Sequence, residues 1–125
     1  DLCDIRRIEN TLDRFGNRFI NRIFSDYERE KAEKNLNRAS VYAKHFAAKE
    51  ALAKALGTGF RSGVFWKNIE IKNEKSGKPY VLLSGGASSK LEEITPLDQK
   101  AIINLSLSDE YPLAHAIVTI STANN

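Results

Sequence analysis

Glu50, in the stretch HFAAKEALAKALGTG, is the charged residue whose position is hardest to explain by hydration alone. On a helical wheel at about 100° per residue, it falls within about 60° of an apolar stripe formed by Ala39, Ala43, Phe46, Ala47 and Ala53. Lys54, four residues later, is the only other charged residue on this stripe. A carboxylate among alanines is costly to desolvate unless a cation, a metal ion or hydrogen bonds compensate. Two interpretations stay open: a Glu50–Lys54 pair, worth roughly a few tenths of a kcal/mol, or a functional site.

Two glycine-containing stretches could bring the backbone close to a ligand. ALGTG, residues 55–59, has a glycine on each side of Thr58 at the end of a helix, where backbone N–H groups can be exposed. As a phosphate-binding signal this stretch is weak, because phosphate favours the N-termini of helices. SGKP, residues 76–79, is a still weaker candidate for a ligand-binding stretch, because its simpler interpretation is an ordinary hairpin turn.

Several common kinds of site are not indicated by the sequence. His45 and His115 have no metal-ligand spacing, and the single cysteine, Cys3, cannot form an internal disulfide, which suits a reducing cytoplasm. No P-loop, dinucleotide fingerprint or G-x-S-x-G motif is present. We interpret Cys3 as a small core residue on a first strand.

The first predicted helix carries arginines at intervals of seven and four residues, which can therefore share one side: Arg7, Arg14, Arg18 and Arg22. Arginine suits bidentate contact with carboxylates or phosphates. A solvated face balanced by Glu9 and Asp13 is the alternative. The net charge of +3 is small and no DNA-binding module is recognisable, so nucleic acid is disfavoured. No apolar run reaches the roughly 20 residues that a membrane span needs.

The N-terminal half of the chain is predicted to be mostly helical. Residues 1–5 alternate like the end of a strand, and apolar residues then recur at helical spacing to about Arg22. Ser25 and Glu28 form the capping-box pattern SDYE, which predicts a second helix to about Asn35. The third helix should run over residues 38–56 and end at Gly57. Since it is apolar around most of its circumference, we expect it to be central.

The C-terminal half is predicted to be mostly strands. Residues 65–84 indicate one hairpin, residues 86–94 a short helix, and the alternating residues 103–120 a second hairpin around Pro112. Helices followed by antiparallel strands predict an α+β fold, with one central buried helix packed on a small antiparallel sheet. The 125 residues fit a single domain. The chain begins at Asp1 and contains no Met, so we expect residues before Asp1 to be missing.

Three segments together carry a family resemblance: DLCDIRRIE at 1–9, F-x-x-R-I-F at 19–24 and FAAKEALAKALGTG at 46–59. The chain resembles the short bacterial holo-acyl-carrier-protein synthases of the 4′-phosphopantetheinyl transferase superfamily. The likeness extends over essentially the whole chain, including the GKP turn and the closing LSLSDEYPLAHAIV hairpin. It implies the phosphopantetheinyl transferase-like α+β fold.

The resemblance also implies an activity. Such an enzyme transfers 4′-phosphopantetheine from coenzyme A to a serine of apo-acyl carrier protein, releases adenosine 3′,5′-bisphosphate and supports fatty acid biosynthesis. By position, Asp1 and Glu50 would hold Mg²⁺, which prefers hard oxygen ligands and substrate phosphates. Glu50 would help to remove the proton of the serine hydroxyl. Lys54 would meet the phosphates and stabilise the leaving group.

The coenzyme A contacts are implied in the same way. The matching positions are Gly57, Thr58, Lys78 and Pro79, with His45 as a further contributor. Many relatives have Arg where this chain has His45, and many have His where it has Asp109. Since an aspartate cannot donate a charge-assisted hydrogen bond to phosphate, these departures concern how the 3′-phosphate is held.

The implied partner is an acidic acyl carrier protein docked on the basic first helix. Arg7 is the first candidate for that contact, followed by Arg14, Arg18 and Arg22. The family also implies a cytoplasmic homotrimer with active sites between subunits, and no membrane or nucleic-acid partner. The alternative from another functional class is a small basic module that binds an acidic protein without chemistry. Only the enzyme requires both Asp1 and Glu50 around a divalent metal.

Overall fold

A computed structural model describes residues 1–125. The chain forms five strands and five helices. In chain order these are β1 (Leu2–Asp4), α1 (Ile5–Phe15), α2 (Asn17–Ile23), α3 (Asp26–Glu33), α4 (Arg38–Ala55), β2 (Ile69–Asn73), β3 (Pro79–Leu83), α5 (Gly85–Ile94), β4 (Gln99–Glu110) and β5 (Leu113–Asn124). A single 3-10 turn, Trp66–Asn68, precedes β2. The predicted α+β fold is confirmed.

The strands form two antiparallel sheets. One has the order β1-β5-β4 and the other is the β2-β3 hairpin, so both predicted hairpins are confirmed. Asp1 extends the ladder beyond β1. Its backbone nitrogen donates to the Ala116 carbonyl at 2.7 Å, and its carbonyl accepts from the Ala116 N–H at 2.9 Å. The backbone of Asp1 is thereby fixed against β5.

Helix α4 lies at the centre of the molecule, as the sequence predicts. It packs on α1, α3 and four of the five strands. Its small residues Ala43, Ala47, Ala48 and Ala53 are fully buried. An alanine has no side-chain rotamers to lose on burial and allows neighbouring backbones to approach closely. The helix ends at Ala55 with Leu56 as its C-cap, and Gly57 follows with a positive φ of 87°, which suits a glycine after a helix C-terminus.

The prediction of one continuous helix to about Arg22 is wrong. Gly16, with φ 53° and ψ −122°, ends α1 and begins α2. Its N–H still donates to the Leu12 carbonyl at 2.8 Å, so the last turn of α1 is closed normally. A residue with a side chain rarely adopts this conformation, because Cβ clashes with the backbone. The four arginines therefore do not share one face of one helix.

The capping box that the sequence predicts at the start of α3 is present. The Ser25 N–H donates to Glu28 Oε1 at 2.7 Å, and the Glu28 N–H donates to Ser25 Oγ at 3.2 Å. Helix α3 ends at Glu33, two residues before the predicted end. A hydrophobic core of 22 buried residues joins the helices to both sheets. None of the helices combines the length and the apolar composition of a membrane span.

Candidate active site

Asp1 and Lys54 are the first two candidate residues that the fold brings together. Lys54 Nζ lies 2.6 Å from Asp1 Oδ1, although 53 positions separate them in sequence. The pairing of β1 with β5 and the packing of β1 on α4 produce this contact. The Asp1 carboxylate is only 16% exposed, whereas the Lys54 side chain is 67% exposed.

Glu50 lies one helical turn before Lys54 and is half-buried. The proposed alternative of a Glu50–Lys54 pair is wrong, because Lys54 is engaged by Asp1. Glu50 also acts on Cys3 of β1. Burial raises the pKa of the Cys3 thiol, the charge of Arg7 lowers it, and the charge of Glu50 raises it further. Asp1 and Lys54 are thus in direct contact at the start of β1, and Glu50 lies close enough to this strand for its charge to act on Cys3.

Glu50 differs from every other formally charged residue on α4 in having no hydrogen-bond or ion-pair partner within the chain. The four cations of the helix each pair with a carboxylate outside it. These pairs are Arg38–Glu33, Lys44–Asp109, Lys49–Glu28 and Lys54–Asp1. A half-buried carboxylate without a partner carries a desolvation cost that a bound cation or hydrogen-bond donor would remove.

The donor set around Asp1 and Glu50 fits Mg²⁺. No three His, Cys, Asp or Glu side chains come together as a metal-binding cluster. Two carboxylates suffice for Mg²⁺, which is commonly bound by one or two protein carboxylates together with substrate phosphates and retained water. The chemistry of the donors therefore suits a metal that is shared with a phosphorylated substrate rather than enclosed by the protein.

Gly57 and Thr58 follow directly after α4, close to Lys54. The Gly57 N–H donates to the Lys54 carbonyl at 2.9 Å, and the Gly59 N–H donates to the Ala53 carbonyl at 3.0 Å. The Thr58 hydroxyl donates to the Gly59 carbonyl at 2.8 Å. The backbone N–H of Thr58 makes no hydrogen bond within the chain, so it is available to an acceptor such as a phosphate oxygen.

Lys78 and Pro79 are not brought to this cluster within one chain. They lie at the β2–β3 turn, which Asn73 ties down by donating from Nδ2 to the Gly77 carbonyl at 3.0 Å and by accepting from Lys31 of α3. No hydrogen bond or ion pair connects this turn to Asp1, Glu50 or Lys54.

His45 is buried, with 2% of its surface exposed, and its Nδ1 has no hydrogen-bond partner. Burial, together with the charges of Lys31, Lys49 and Lys44, lowers the pKa of His45 to about 3. The imidazole is therefore neutral at pH 7. The adjacent Lys44 lies 3.0 Å from Asp109, the second position at which this chain departs from many relatives.

The four candidate docking arginines are all exposed but occupy two helices. Arg7 and Arg14 belong to α1, and the Arg14 guanidinium lies 5.2 Å from the centroid of the Phe15 ring. Arg18 and Arg22 belong to α2 and line a surface groove of about 340 Å³ with Thr11, Phe15 and Phe19. This groove combines positive charge with aromatic surface.

The sequence profile of the 4′-phosphopantetheinyl transferase superfamily matches residues 1–116. This match covers both carboxylates, Lys54 and nearly the whole fold. The chain belongs to this superfamily. It is thus an enzyme of the holo-acyl-carrier-protein synthase type rather than a binding module without chemistry.

Individual relatives agree with this assignment along most of their length. The holo-[acyl-carrier-protein] synthase of Beijerinckia indica is 58% identical, and that of Rhizobium meliloti is 55% identical, each over 96% of this chain and 86% of its own length. The crystal structure of the Neisseria meningitidis synthase superposes with a TM-score of 0.82 at 34% identity, covering 97% of this chain and 94% of that one. The Helicobacter pylori synthase, crystallised with coenzyme A, gives 0.81 at 28% identity, covering 97% and 96%.

Sequence reasoning missed one pair of residues in this transferase. Lys49 and Glu28 are both completely buried, with Nζ and Oε1 2.8 Å apart. Glu28 is noticed in the sequence only as a capping residue, and the helical wheel draws attention to Glu50 instead of its neighbour. The available signal is the pair of adjacent charges Lys49 and Glu50 within an alanine-rich helix. If that helix is central, at least one of the two charges is kept from water and needs a partner.

The neutral state of His45 predicts a pH dependence of stability. The unfolded chain takes up a proton near pH 6.5, whereas the folded chain resists it until about pH 3. Because the unfolded state binds more protons between these values, stability is complete above about pH 6.5 and decreases as the pH falls. Across most of this window, the free energy of unfolding should decrease about 1.4 kcal/mol per pH unit more steeply in the wild type than in His45→Gln. Urea unfolding at a series of pH values measures both slopes, and equal slopes would contradict a neutral His45.

Proposed function

We propose that this chain transfers 4′-phosphopantetheine from coenzyme A to a serine of apo-acyl carrier protein, giving holo-acyl carrier protein and adenosine 3′,5′-bisphosphate. The observation that carries the proposal is Glu50, the only charge on α4 without a partner, one helical turn from the lysine that pairs with the Asp1 carboxylate. The superfamily membership and the synthase relatives support it. Residues 1–125 would form one transferase domain, which the continuous hydrophobic core supports.

Asp1 and Glu50 would hold Mg²⁺ in this reaction. When bound, Mg²⁺ neutralises phosphate charge and favours cleavage of the pyrophosphate of coenzyme A. The backbone pairing of Asp1 with Ala116 and the burial of α4 support this role, because both carboxylates are attached to rigid elements. A rigid attachment limits the reorganisation needed when the charged substrate arrives.

Glu50 would also accept the proton of the attacking serine hydroxyl. Its carboxylate is half-buried and makes no internal hydrogen bond, so an incoming hydroxyl does not have to displace a protein donor. Lys54 would stabilise the leaving phosphate. Its ammonium is largely exposed and reaches Asp1 from the solvent side, where it can also contact a bound phosphate. The free N–H of Thr58 adds an uncharged donor nearby, and Gly57 lets the chain approach the nucleotide.

Lys78 and Pro79 would lie in a turn near coenzyme A, and His45 would contribute in the region of the 3′-phosphate. A neutral His45 contributes at most a hydrogen bond, so the charge of the 3′-phosphate has to be met by a cation. Lys44 and Lys31 are close enough to His45 for their charges to lower its pKa. This proximity supports a cationic environment around the imidazole despite the loss of the arginine found in many relatives.

We further propose a homotrimer whose active sites lie between subunits. The separation of Lys78 and Pro79 from Asp1 and Glu50 within one chain supports it, because a neighbouring chain can supply the turn. Half-buried apolar residues around the gap between the two sheets also favour a covering partner. They include Val81, Ile103, Leu105 and Val118. The reaction would serve fatty acid biosynthesis in the cytoplasm, where the buried free thiol of Cys3 stays reduced.

The acyl carrier protein would dock on α1 and α2. The exposed arginines there match the acidic surface of such a partner, and the Phe15–Phe19 groove offers aromatic contact area between Arg18 and Arg22. Electrostatic complementarity of this kind mainly raises the association rate, and it weakens with salt.

Replacement of Glu50 tests the transfer chemistry directly. Glu50→Gln should reduce transfer at least about 100-fold, since it removes both a metal ligand and a proton acceptor. The assay is the mass of apo-acyl carrier protein after incubation with coenzyme A and Mg²⁺. Glu92→Gln, on the exposed face of α5, is the matched control with normal activity and an equal melting temperature. Near-normal transfer by folded Glu50→Gln would remove Glu50 from the mechanism.

Charge reversal tests the docking surface. Arg7→Glu and Arg18→Glu should each raise the KM for the carrier protein roughly 10-fold while leaving the KM for coenzyme A unchanged, because they act on encounter with an acidic partner. Steady-state kinetics at two salt concentrations measures both constants. Lys90→Glu, on α5, is the control. An unchanged KM for the carrier protein in both variants would place the docking surface elsewhere.

The proposed homotrimer is tested by measuring the molar mass of the protein in solution. Light scattering of the purified chain should give three times the monomer mass across the concentrations used in the assay. A monomer that is fully active at those concentrations would contradict sites shared between subunits.

A further inference from the structure

The Glu28–Lys49 pair connects five separate segments of the fold. Lys49 Nζ donates to Glu28 Oε1 at 2.8 Å, to the Ile23 carbonyl at 2.8 Å and to the Trp66 carbonyl at 3.3 Å. Glu28 accepts from the Ser25 N–H at 2.7 Å and from the Ile71 N–H at 2.9 Å. The pair therefore joins α4 to the end of α2, the start of α3, the 3-10 turn and β2.

Net stability does not explain why this pair is present. Both side chains are completely removed from water, and the cost of removing two charges from water is commonly as large as their mutual attraction. Burial is the largest cause of the lowered pKa of Lys49, and the opposing effect of Glu28 does not cancel it. A pair of apolar side chains would fill the same space without this cost. The specific feature of the pair is its directional hydrogen bonding.

Lys49 differs from the other buried side chains of α4 in the direction of its contacts. Tyr42 and Leu52 are buried on the same side of the helix and fill space there, while Ala47 and Ala48 allow close approach of neighbouring elements. Packing of this kind is not directional, whereas hydrogen bonds constrain both distance and angle. The three acceptors of Lys49 belong to three different elements, so its bonds constrain both the rotation and the sliding of α4.

We infer that Glu28 and Lys49 are positioning residues of the transfer reaction: together they fix the rotation and axial register of α4. Glu50 follows Lys49 by about 100° and 1.5 Å along the helix, and Lys54 follows Glu50 by one turn. Setting Lys49 against fixed carbonyls thereby sets where the Glu50 carboxylate lies relative to Asp1. This inference rests on the proposed function of Glu50 and Lys54 and deepens it.

A double variant separates positioning from stability. Glu28→Gln/Lys49→Met keeps the approximate shape of both side chains and leaves no uncompensated buried charge. We expect it to fold, with a cooperative thermal transition and a normal circular dichroism spectrum. Its kcat should nevertheless fall about 10-fold to 100-fold, because small displacements of reacting groups are costly to the rate. The KM for the carrier protein should be unchanged.

A second measurement does not depend on turnover. Binding of adenosine 3′,5′-bisphosphate in the presence of Mg²⁺, followed by calorimetry, should weaken about 10-fold in the double variant, since a displaced Glu50 and Lys54 meet the phosphates poorly. A purely structural pair would lower the melting temperature but leave kcat and this affinity unchanged below the transition. The control is Glu30→Gln/Lys34→Met, which removes an exposed Lys–Glu pair, 3.0 Å apart at the end of α3, and should change neither quantity.

Wild-type kcat and wild-type affinity in the folded double variant would overturn the inference. If the double variant does not fold, Glu28→Asp decides, because it keeps both charges and shortens the carboxylate by one methylene. A kcat of Glu28→Asp equal to that of the wild type would then overturn positioning, and a fall of about 10-fold at unchanged carrier KM would support it. Failure of the wild type itself to modify the carrier protein would instead overturn the proposed function and this inference together.

Discussion

The arrangement of this protein depends on burying an 18-residue helix that also has to carry charged groups. Many of the apolar residues of α4 are alanines, which allow close packing on almost every side. Each charge on the helix then needs either water or a partner from another element. The four cations obtain carboxylate partners from four different places in the chain, and Glu50 obtains none. The same burial that stabilises the helix therefore leaves one half-buried carboxylate, Glu50, without a partner inside the chain.

The ion pairs of α4 differ in what they contribute. Arg38–Glu33 is 41% exposed on both sides, and such surface pairs contribute about 0–1 kcal/mol to stability. Lys54–Asp1 is half-exposed and orients a carboxylate at the site. Lys49–Glu28 is fully buried and links segments that are far apart in sequence. The energy of folding thus comes mainly from the apolar core, whereas the charges decide how the elements are placed relative to one another.

Local signals predicted most of the elements, and contacts between distant residues explain what was missed. The Ser25–Glu28 capping box, the end of α4 before Gly57 and both hairpins depend on residues a few positions apart. The break at Gly16 was missed because the apolar period continues across it, and a single glycine is tolerated within a helix. The Lys54–Asp1 pair spans 53 positions, so no helical wheel could predict it. The wheel likewise could not indicate that α3 would cover the side of α4 that carries Lys49.

The break at Gly16 links the exposed arginines of α2 to the packing of α4. It frees α2 to take its own direction, so that Arg18 and Arg22 face solvent while Ile20 and Ile23 are buried. The carbonyl of Ile23, at the end of this short helix, accepts a hydrogen bond from Lys49, the residue before Glu50. One seven-residue helix therefore carries exposed arginines on one side and holds α4 on the other. A continuous first helix would have directed its C-terminus elsewhere, and the carbonyl of Ile23 would not be fixed relative to both Arg22 and Glu50.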